Sequence, residues 1–345
     1  MLPLPSFELH RPTSLAEAAR LLLLLGPEAR LIAGGTDLLP NMKQGLFEPA
    51  HLVSLSHIDE LRGFRLLRDD GGEALVIGAG TRLAELASSV LVARVAPALA
   101  EASAAVGGPH HRAMGTIGGN VCLDTRCRYY NQTYFWRKAL GFCLKKDGTV
   151  CHVVKGGQRC VAAASNDSAP ALLALGASFT LLSARGERLV PSADFYTADG
   201  IHNTVLEPGE ILTTIRVPLL ANRKSAFTKL RRRAAIDFPL LSIAARVDLR
   251  ADSPELADSV EVVVSALGAR PRRLRAASEV ASGTPTRGLA EALAKAAFRE
   301  CKPLTNVDED TPWRHAMVPV LVKRAVARAL GEEPRATTDP ALGRA

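Results

Sequence analysis

The sequence has no apolar run approaching the ~18 residues that a membrane helix requires. Its longest candidate is the five leucines Leu21 to Leu25, so a spanning helix is excluded. A secretory signal is not expected either. Prolines interrupt the opening MLPLPSFELHRP where a continuous apolar stretch would be needed, and a cytoplasmic location follows as the expectation. No G-x-S-x-G, H-E-x-x-H or P-loop signature occurs, which leaves a hydrolase reading without support. No internal repeat is present. What remains is ordinary globular chemistry: 345 residues, 47% hydrophobic and 23% charged, roughly two domains' worth of chain with enough apolar material for a real core. Disordered, collagen-like and disulfide-knot classes are thereby out.

Cysteine is scarce except in one place. Five of the six cysteines (Cys122, Cys127, Cys143, Cys151, Cys160) fall within residues 122–160, with Cys301 far away. The same segment carries eight Lys/Arg against Asp124 and Asp147, and six of the sixteen aromatics. Basicity alone would point to nucleic acid, but the cysteines give a better reason. Disulfides do not suit a chain without a secretory signal, which leaves a zinc site, an iron–sulfur cluster or unligated thiols. Structural zinc favours C-x₂₋₄-C knuckles, whereas the gaps after Cys127 are 15, 7 and 8 residues, which is loop spacing. A cluster with four thiolates is anionic, and a basic surround would compensate it. His152, beside Cys151, reads as a solvated loop residue rather than a ligand.

Two glycine turns stand out: Ala33-Gly34-Gly35-Thr36-Asp37 after the short apolar strand 31–33, and Thr116-Ile117-Gly118-Gly119-Asn120 after a glycine-rich loop. Paired glycines let backbone come close to a bulky anion and aim amides at it. Neither is the spaced G-x-G-x-x-G of a Rossmann unit, but two in one domain suggest a dinucleotide lying between them. Ser14-Leu-Ala-Glu17 is a capping box opening a helix to about Leu25, Thr81 is placed to cap the next helix, and Pro97 to Ala105 reads as another. Strands are expected near 52–55, 75–80, 179–183 and 211–217. Beyond a boundary at 218–224 come strands 225–231, 241–249 and 260–267, then helices 289–300 and 318–330, which together give a three-stranded antiparallel sheet backed by helices. Residues 332–345 read as a loose tail. His110-His111-Arg112 offers a phosphate-guiding role, with a plain exposed loop pair as the better expectation, and Lys229-Leu-Arg231-Arg232-Arg233 reads as a charged strand end.

Taken in order, Phe7-Glu-Leu-His-Arg-Pro12, Ser14-Leu-Ala-Glu-Ala18, the two glycine motifs, Gly209-Glu-Ile-Leu212, Lys229 to Arg233 and Asp237 resemble the FAD-binding medium subunits of the molybdenum hydroxylases. The resemblance covers about residues 5–330. It implies an α+β fold: an FAD domain of the vanillyl-alcohol-oxidase (PCMH) type in two subdomains over 1–220, then the C-terminal domain of such medium subunits over 221–331, with a three-stranded antiparallel sheet and a helical bundle. It further implies FAD held by Leu31, Ile32, Ala33, Gly34, Gly35, Thr36, Asp37 and Leu38 on one side and by Thr116, Ile117, Gly118, Gly119 and Asn120 on the other. Asp167, Leu212 and Lys229 match further flavin-contacting positions.

Most such subunits run from the second glycine motif almost directly into a Ser-Asp. Here a long insertion, 122–160, comes before Ser165-Asn166-Asp167. It resembles the one in the beta subunits of 4-hydroxybenzoyl-CoA reductases, and the match implies a [4Fe–4S] cluster on Cys127, Cys143, Cys151 and Cys160, with Cys122 a neighbour that could be a misassigned ligand. The resemblance thus implies an electron-transfer subunit with no catalytic residue of its own. Its partners would be a large molybdopterin subunit and a small [2Fe–2S] subunit in a dimer of heterotrimers, with ferredoxin as donor. Electrons would pass through [4Fe–4S] and FAD to [2Fe–2S] and molybdenum, for reductive dehydroxylation to benzoyl-CoA in aromatic degradation. The rivals are a hydroxylase FAD subunit passing electrons outward to NAD or a quinone, a stand-alone flavin oxidase, and a zinc-stabilised nucleic-acid-binding module, which leaves both glycine turns unexplained.

Overall fold

The computed structural model describes residues 2–308 and 310–332; the tail assigned to 332–345 lies, beyond its first residue, outside them. Among the described residues, three sheets organise the chain. The first is a small parallel sheet in which β1 (Glu8–His10) and β2 (Ala29–Ile32) flank β3 (His51–Ser54). Helix Leu15–Leu25 joins β1 to β2. Ser14 caps it by accepting from the Glu17 amide, while the Glu17 carboxylate reaches back to the Thr13 amide at 2.9 Å, one residue earlier than a capping box requires.

The second sheet contains β4 (Phe64–Asp69), β5 (Gly72–Gly78), β6 (Ser178–Ser183), β7 (Gly186–Pro191) and β8 (Ile211–Pro218), ordered β4-β5-β8-β6-β7. All its pairings are antiparallel. Sequence reasoning missed β4, whose exposed Arg65, Leu66, Arg68 and Asp69 give an edge strand little apolar signature. Thr81 does not cap the following helix; its hydroxyl donates to the Gly63 carbonyl, and Arg82 occupies the cap position of Leu83–Ser88.

The third sheet has three long antiparallel strands, β9 (Arg223–Leu230), β10 (Leu241–Leu249) and β11 (Leu256–Ser265), with two-residue pieces Arg272–Arg273 and Thr284–Pro285 added at β11. Helices Leu289–Glu300 and Thr311–Leu330 cover one face. The second helix begins at Thr311, well before the expected start at 318, because Pro319 inside it reads as a boundary. The ring forfeits one helical hydrogen bond, but the helix continues, packed on β9 and β10.

The expectation of a sheet backed by helices is incomplete, because both faces are covered. Alternate strand residues divide between two cores. Ala226, Ile243, Ala245, Val262 and Val264 face the C-terminal helices, whereas Phe227, Ala244 and Val263 join the N-terminal core. This period-two split is what a strand buried on both sides must show. Helices Pro97–Ala105 and Ser168–Ala174 supply the other cover, on β9 and on β10 and β11 respectively. At roughly 1.5–3 kcal/mol for each large apolar side chain withdrawn from water, this seam fixes the wall of the cavity described next.

Candidate functional site

A cavity of about 770 Å³ opens between the two glycine turns. Residues 31–38 line it continuously, with Thr116, Gly118, Gly119 and Asn120 opposite and with Asp167 and Leu212 also at its wall. Ile117 is not among the lining residues; it is fully buried in the main core. Lys229 stands one layer back.

The four glycines divide by task. A Cβ on Gly34 would lie 2.1 Å from the Met114 carbonyl oxygen, and one on Gly118 would lie 2.7 Å from the Ala79 Cβ. Those two are therefore required by chain packing on chain. Gly35 needs its left-handed φ of 67°, and Gly119 would meet nothing closer than the Thr116 hydroxyl. These two leave backbone open toward a ligand.

The polar members of the motifs are engaged in holding the walls. The Thr116 hydroxyl accepts from the Gly119 amide at 3.1 Å. Asn120 Oδ1 accepts from the Ser168 amide and hydroxyl at 3.0 and 2.5 Å, which ties the second turn to helix Ser168–Ala174. Asp37 would repel a phosphate, but it pairs with the Arg126 guanidinium and accepts from Asn41 Nδ2. Burial pushes Arg126 down to about 10, and its guanidinium lies 4.2 Å from the centroid of the Phe238 ring.

Behind the cavity, Lys229 Nζ donates to Asp167 Oδ2 at 2.6 Å and to the carbonyls of Ala105 and Asp237. Burial raises the Asp167 carboxyl above its ordinary value in spite of Lys229, and lowers the Lys229 ammonium in spite of Asp167. Asp167 Oδ1 is buried and has no hydrogen-bond partner among the described residues. Sequence reasoning gives no role to Arg126, Ile236 or Phe238, which line the cavity together with His111, which the sequence offers as a phosphate guide. In the sequence Arg126 counts only as charge beside Cys127, and nothing local marks Phe238.

The insertion closes on itself at its neck. Arg126 and Ala163 exchange both backbone hydrogen bonds, at 2.8 and 2.6 Å, which brings the two ends of the cysteine segment together. Inside, Cys127, Cys143, Cys151 and Cys160 line one small pocket with Tyr129, Tyr130, Lys145 and His152. Cys122 does not join them; it lines the large cavity and packs against the main core. No cysteine among the described residues is paired in a disulfide.

Among the described residues, no three of these thiols come within 4.8 Å of one another. Thiolates around one tetrahedral zinc would sit roughly 3.8 Å apart, given Zn–S near 2.3 Å. No such close trio of thiols is formed among the described residues. Burial pushes the Cys127 thiol up to about 12; the Tyr129 amide pulls the other way, and the charges of Cys160, Cys143 and Cys151 add to the rise. Burial likewise raises Cys160. Without a metal such thiols stay protonated and unreactive.

Three of the eight basic residues are turned inward: Arg126, Arg137 and Lys145. Arg137 pairs with Asp147 and donates to the Gly45 carbonyl; Lys145 pairs with Asp124 and donates to the Gly200 carbonyl at 2.6 Å. His152 is not a solvated loop residue. It is half-buried, its Nε2 lies 2.6 Å from the Phe142 carbonyl, and its ring is tilted beside Tyr129.

Comparison with known proteins decides the family. Residues 5–220 match the FAD-binding domain of molybdopterin dehydrogenases, and residues 225–329 match the CO dehydrogenase flavoprotein C-terminal domain. The chain is an FAD-binding medium subunit of the molybdenum hydroxylase family. Among its relatives, the carbon monoxide dehydrogenase medium chain of Hydrogenophaga pseudoflava is 32% identical, over 95% of this chain and 98% of the relative. The xanthine dehydrogenase FAD-binding subunit of Escherichia coli O157:H7 is 26% identical over 93% and 95%. A solved carbon monoxide dehydrogenase structure from Hydrogenophaga pseudoflava superposes with a TM-score of 0.75 at 30% identity, covering 97% of this chain and all of that one.

The cavity of this medium subunit fits the FAD its family is defined by. It is a cavity of about 770 Å³ between two backbone turns, lined by Gly34 and Gly35 on one side and Gly118 and Gly119 on the other, with Asp167, whose Oδ1 is unpartnered among the described residues, in its wall. The family match carries the flavin and not a cluster, so the case for the thiol pocket rests on its own residues.

Proposed function

We propose that this medium subunit holds two cofactors, FAD and a [4Fe–4S] cluster, and serves a reductase of the 4-hydroxybenzoyl-CoA type. The observation that supports it is the gathering of four cysteines, spread along the chain from 127 to 160, into one pocket beside the flavin cavity, while Cys122 is left out. The donor set is four thiols lining one pocket, and soft thiolates suit an iron–sulfur cluster. Bound FAD would supply one- and two-electron redox chemistry, and the cluster would supply one-electron exchange.

The chain's own residues hold and separate these groups. The glycine turns with Asp167, Leu212 and, one layer back, Lys229 frame the flavin. Cys127, Cys143, Cys151 and Cys160 would ligate iron, with Lys145 placing positive charge near Cys160. Arg126 and Cys127, adjacent in sequence, belong to the walls of the two sites. On this reading residues 1–220, with 122–160 inserted, form the FAD domain and 221–331 the second domain. The partners are a large molybdopterin subunit and a small [2Fe–2S] subunit in a dimer of heterotrimers, ferredoxin is the donor, and the complex works in the cytoplasm on an aromatic thioester.

The test is an anaerobic absorption spectrum of the purified complex, with iron, zinc and flavin quantified on the same sample. About four irons per chain beyond those of the small subunit, with one FAD, are expected. Flavin without that extra iron overturns the cluster and leaves the family intact. One specific observation favours a second reading, outward transfer to NAD or a quinone: the similar medium subunits belong to dehydrogenases. Rapid reduction of 4-hydroxybenzoyl-CoA by the reduced complex, with no substrate-dependent reduction of NAD or a quinone, distinguishes the two.

A further inference from the structure

Away from both cofactor sites, three side chains of the first sheet converge on one point. Glu8 and His10 are two apart on β1 and so share a side of that strand. The parallel register sets His51 of β3 against Glu8. His10 Nε2 and His51 Nδ1 lie 3.1 Å apart. Glu8 Oε1 is 3.8 Å from His10 Nε2, and Glu8 Oε2 is 3.5 Å from His51 Nδ1.

One hydrogen bond between the imidazoles would account for the shortest distance, but the carboxylate is too far from either nitrogen to be a hydrogen-bond partner. One donor atom from each of the three residues lies within 4.8 Å of the other two, the two carboxylate distances involving different oxygens of Glu8, so the trio approaches a coordination tetrahedron without yet closing it. Metal–nitrogen and metal–oxygen bonds of about 2.0–2.2 Å put ligand atoms roughly 3.3–3.6 Å apart. The two nitrogens that face each other are also the two that face the carboxylate. His10 on the edge strand and His51 at the start of the central one are both half-buried and the carboxylate is exposed, which leaves the site open to an entering ion.

We propose that Glu8, His10 and His51 form a binding site for one divalent transition ion, with Zn²⁺ as the best match to a two-histidine, one-carboxylate set that keeps a fourth position open. The site staples β1, a three-residue strand paired on one side only, to β3. Because metal affinity is then linked to the folded position of β1, the ion holds this first strand in place.

The experiment is calorimetric titration of the full-length chain with Zn²⁺, comparing wild type, Glu8→Gln and the pair His10→Gln/His51→Gln. Retained flavin and an unchanged circular dichroism spectrum serve as the check on folding. Only binding that the histidine pair removes is attributed to this site, which separates it from zinc taken up by the cysteines. Wild type is expected to bind one Zn²⁺ per chain that is absent from the double variant, and Glu8→Gln is expected to weaken it by about 10–100-fold, at least the loss seen on removing an outer-shell partner. Zn²⁺ should also slow hydrogen exchange at the Leu9 and His10 amides in wild type alone. Equal zinc uptake by wild type and the double variant, or none by wild type, overturns the proposal; Glu8→Gln, being exposed, keeps the test decisive if the double variant misfolds.

Discussion

The glycine cradle and the cysteine pocket share a wall at Arg126 and Cys127, yet they are built by opposite means. In the cradle, side chains are excluded: Gly34 and Gly118 let backbone lie on backbone, and Asp37 and Asn120 are turned to neighbours. In the pocket the side chains are the site, and the backbone is irregular, held by the Arg126–Ala163 neck, by the seven-residue helix Tyr134–Leu140 with its Thr133 cap, and by Asn306 donating to the Val161 carbonyl. A site made by backbone tolerates almost no added atom. A site made by side chains tolerates changes that keep shape and loses only the chemistry of the atom replaced.

The largest expected effect breaks the cradle. Gly34→Ala puts a methyl group 2.1 Å from the Met114 carbonyl oxygen, and the obstacle is backbone, so no rotamer change relieves it. Loss of bound FAD is expected, with destabilisation of at least about 3 kcal/mol. Flavin content after purification and a urea melt followed by circular dichroism check this; a variant that keeps full flavin and its midpoint would mean that the two turns are free to separate. Next comes Lys229→Met, which leaves the buried Asp167 without the ammonium that hydrogen-bonds it, Arg231 being its remaining charged neighbour. Breaking such a pair costs about 3–5 kcal/mol. Adding Asp167→Asn should recover most of it, because the double variant buries no charge, and a double-mutant cycle in urea measures the recovery.

The third expectation sharpens the contrast. Cys143→Ser changes one atom in the pocket and should cost the fold only about 1 kcal/mol, with FAD retained. Under the two-cofactor reading it loses the cluster iron, while Cys122→Ser keeps it because Cys122 belongs to the other cavity. Iron-to-flavin ratios on these variants and on Cys127→Ser decide the point: iron lost with Cys122→Ser and kept with Cys127→Ser would reverse the ligand assignment.

The same contrast explains which features are legible in the amino-acid order by itself. Strands β6, β8 and β10 and helix Leu289–Glu300 are legible from their apolar pattern. Helix Pro97–Ala105, buried on nearly every side and without an apolar stripe, is legible instead from its alanine-rich run behind Pro97. The exposed edge β4 carries no such signal. The glycine turns are legible as short motifs, but the division of labour within them is not: that Gly34 yields to Met114, far along the chain, is a tertiary fact. The pocket is legible as composition, five of six cysteines falling between positions 122 and 160. The exclusion of Cys122 is not, since it depends on the neck that closes after it. The inward turn of Arg137, Lys145 and His152 is equally hidden, because local sequence does not say which charges find partners.

The last expectation lies outside both regions and serves as their control. Arg223, at the start of β9, makes two bonds to the Asp248 carboxylate at 2.7 and 3.1 Å and also donates to the carbonyls of Leu175 and Pro218, joining the two halves of the chain. Burial pushes the Asp248 carboxyl up, but the hydrogen bonds and charge of Arg223, with Arg246 and Ser259, outweigh it, and the net direction is downward. A carboxyl whose native value lies below its unfolded one contributes stability that is present above the unfolded value, near 3.9, and is lost as pH falls through the native one. Asp248→Asn should therefore lower stability at neutral pH and flatten the acid limb below about pH 4, with the two proteins converging as pH drops. Neither flavin nor iron content should change. Urea midpoints between pH 3 and 7 test it, and a difference that stays constant over that range would assign Asp248 a packing role rather than an electrostatic one.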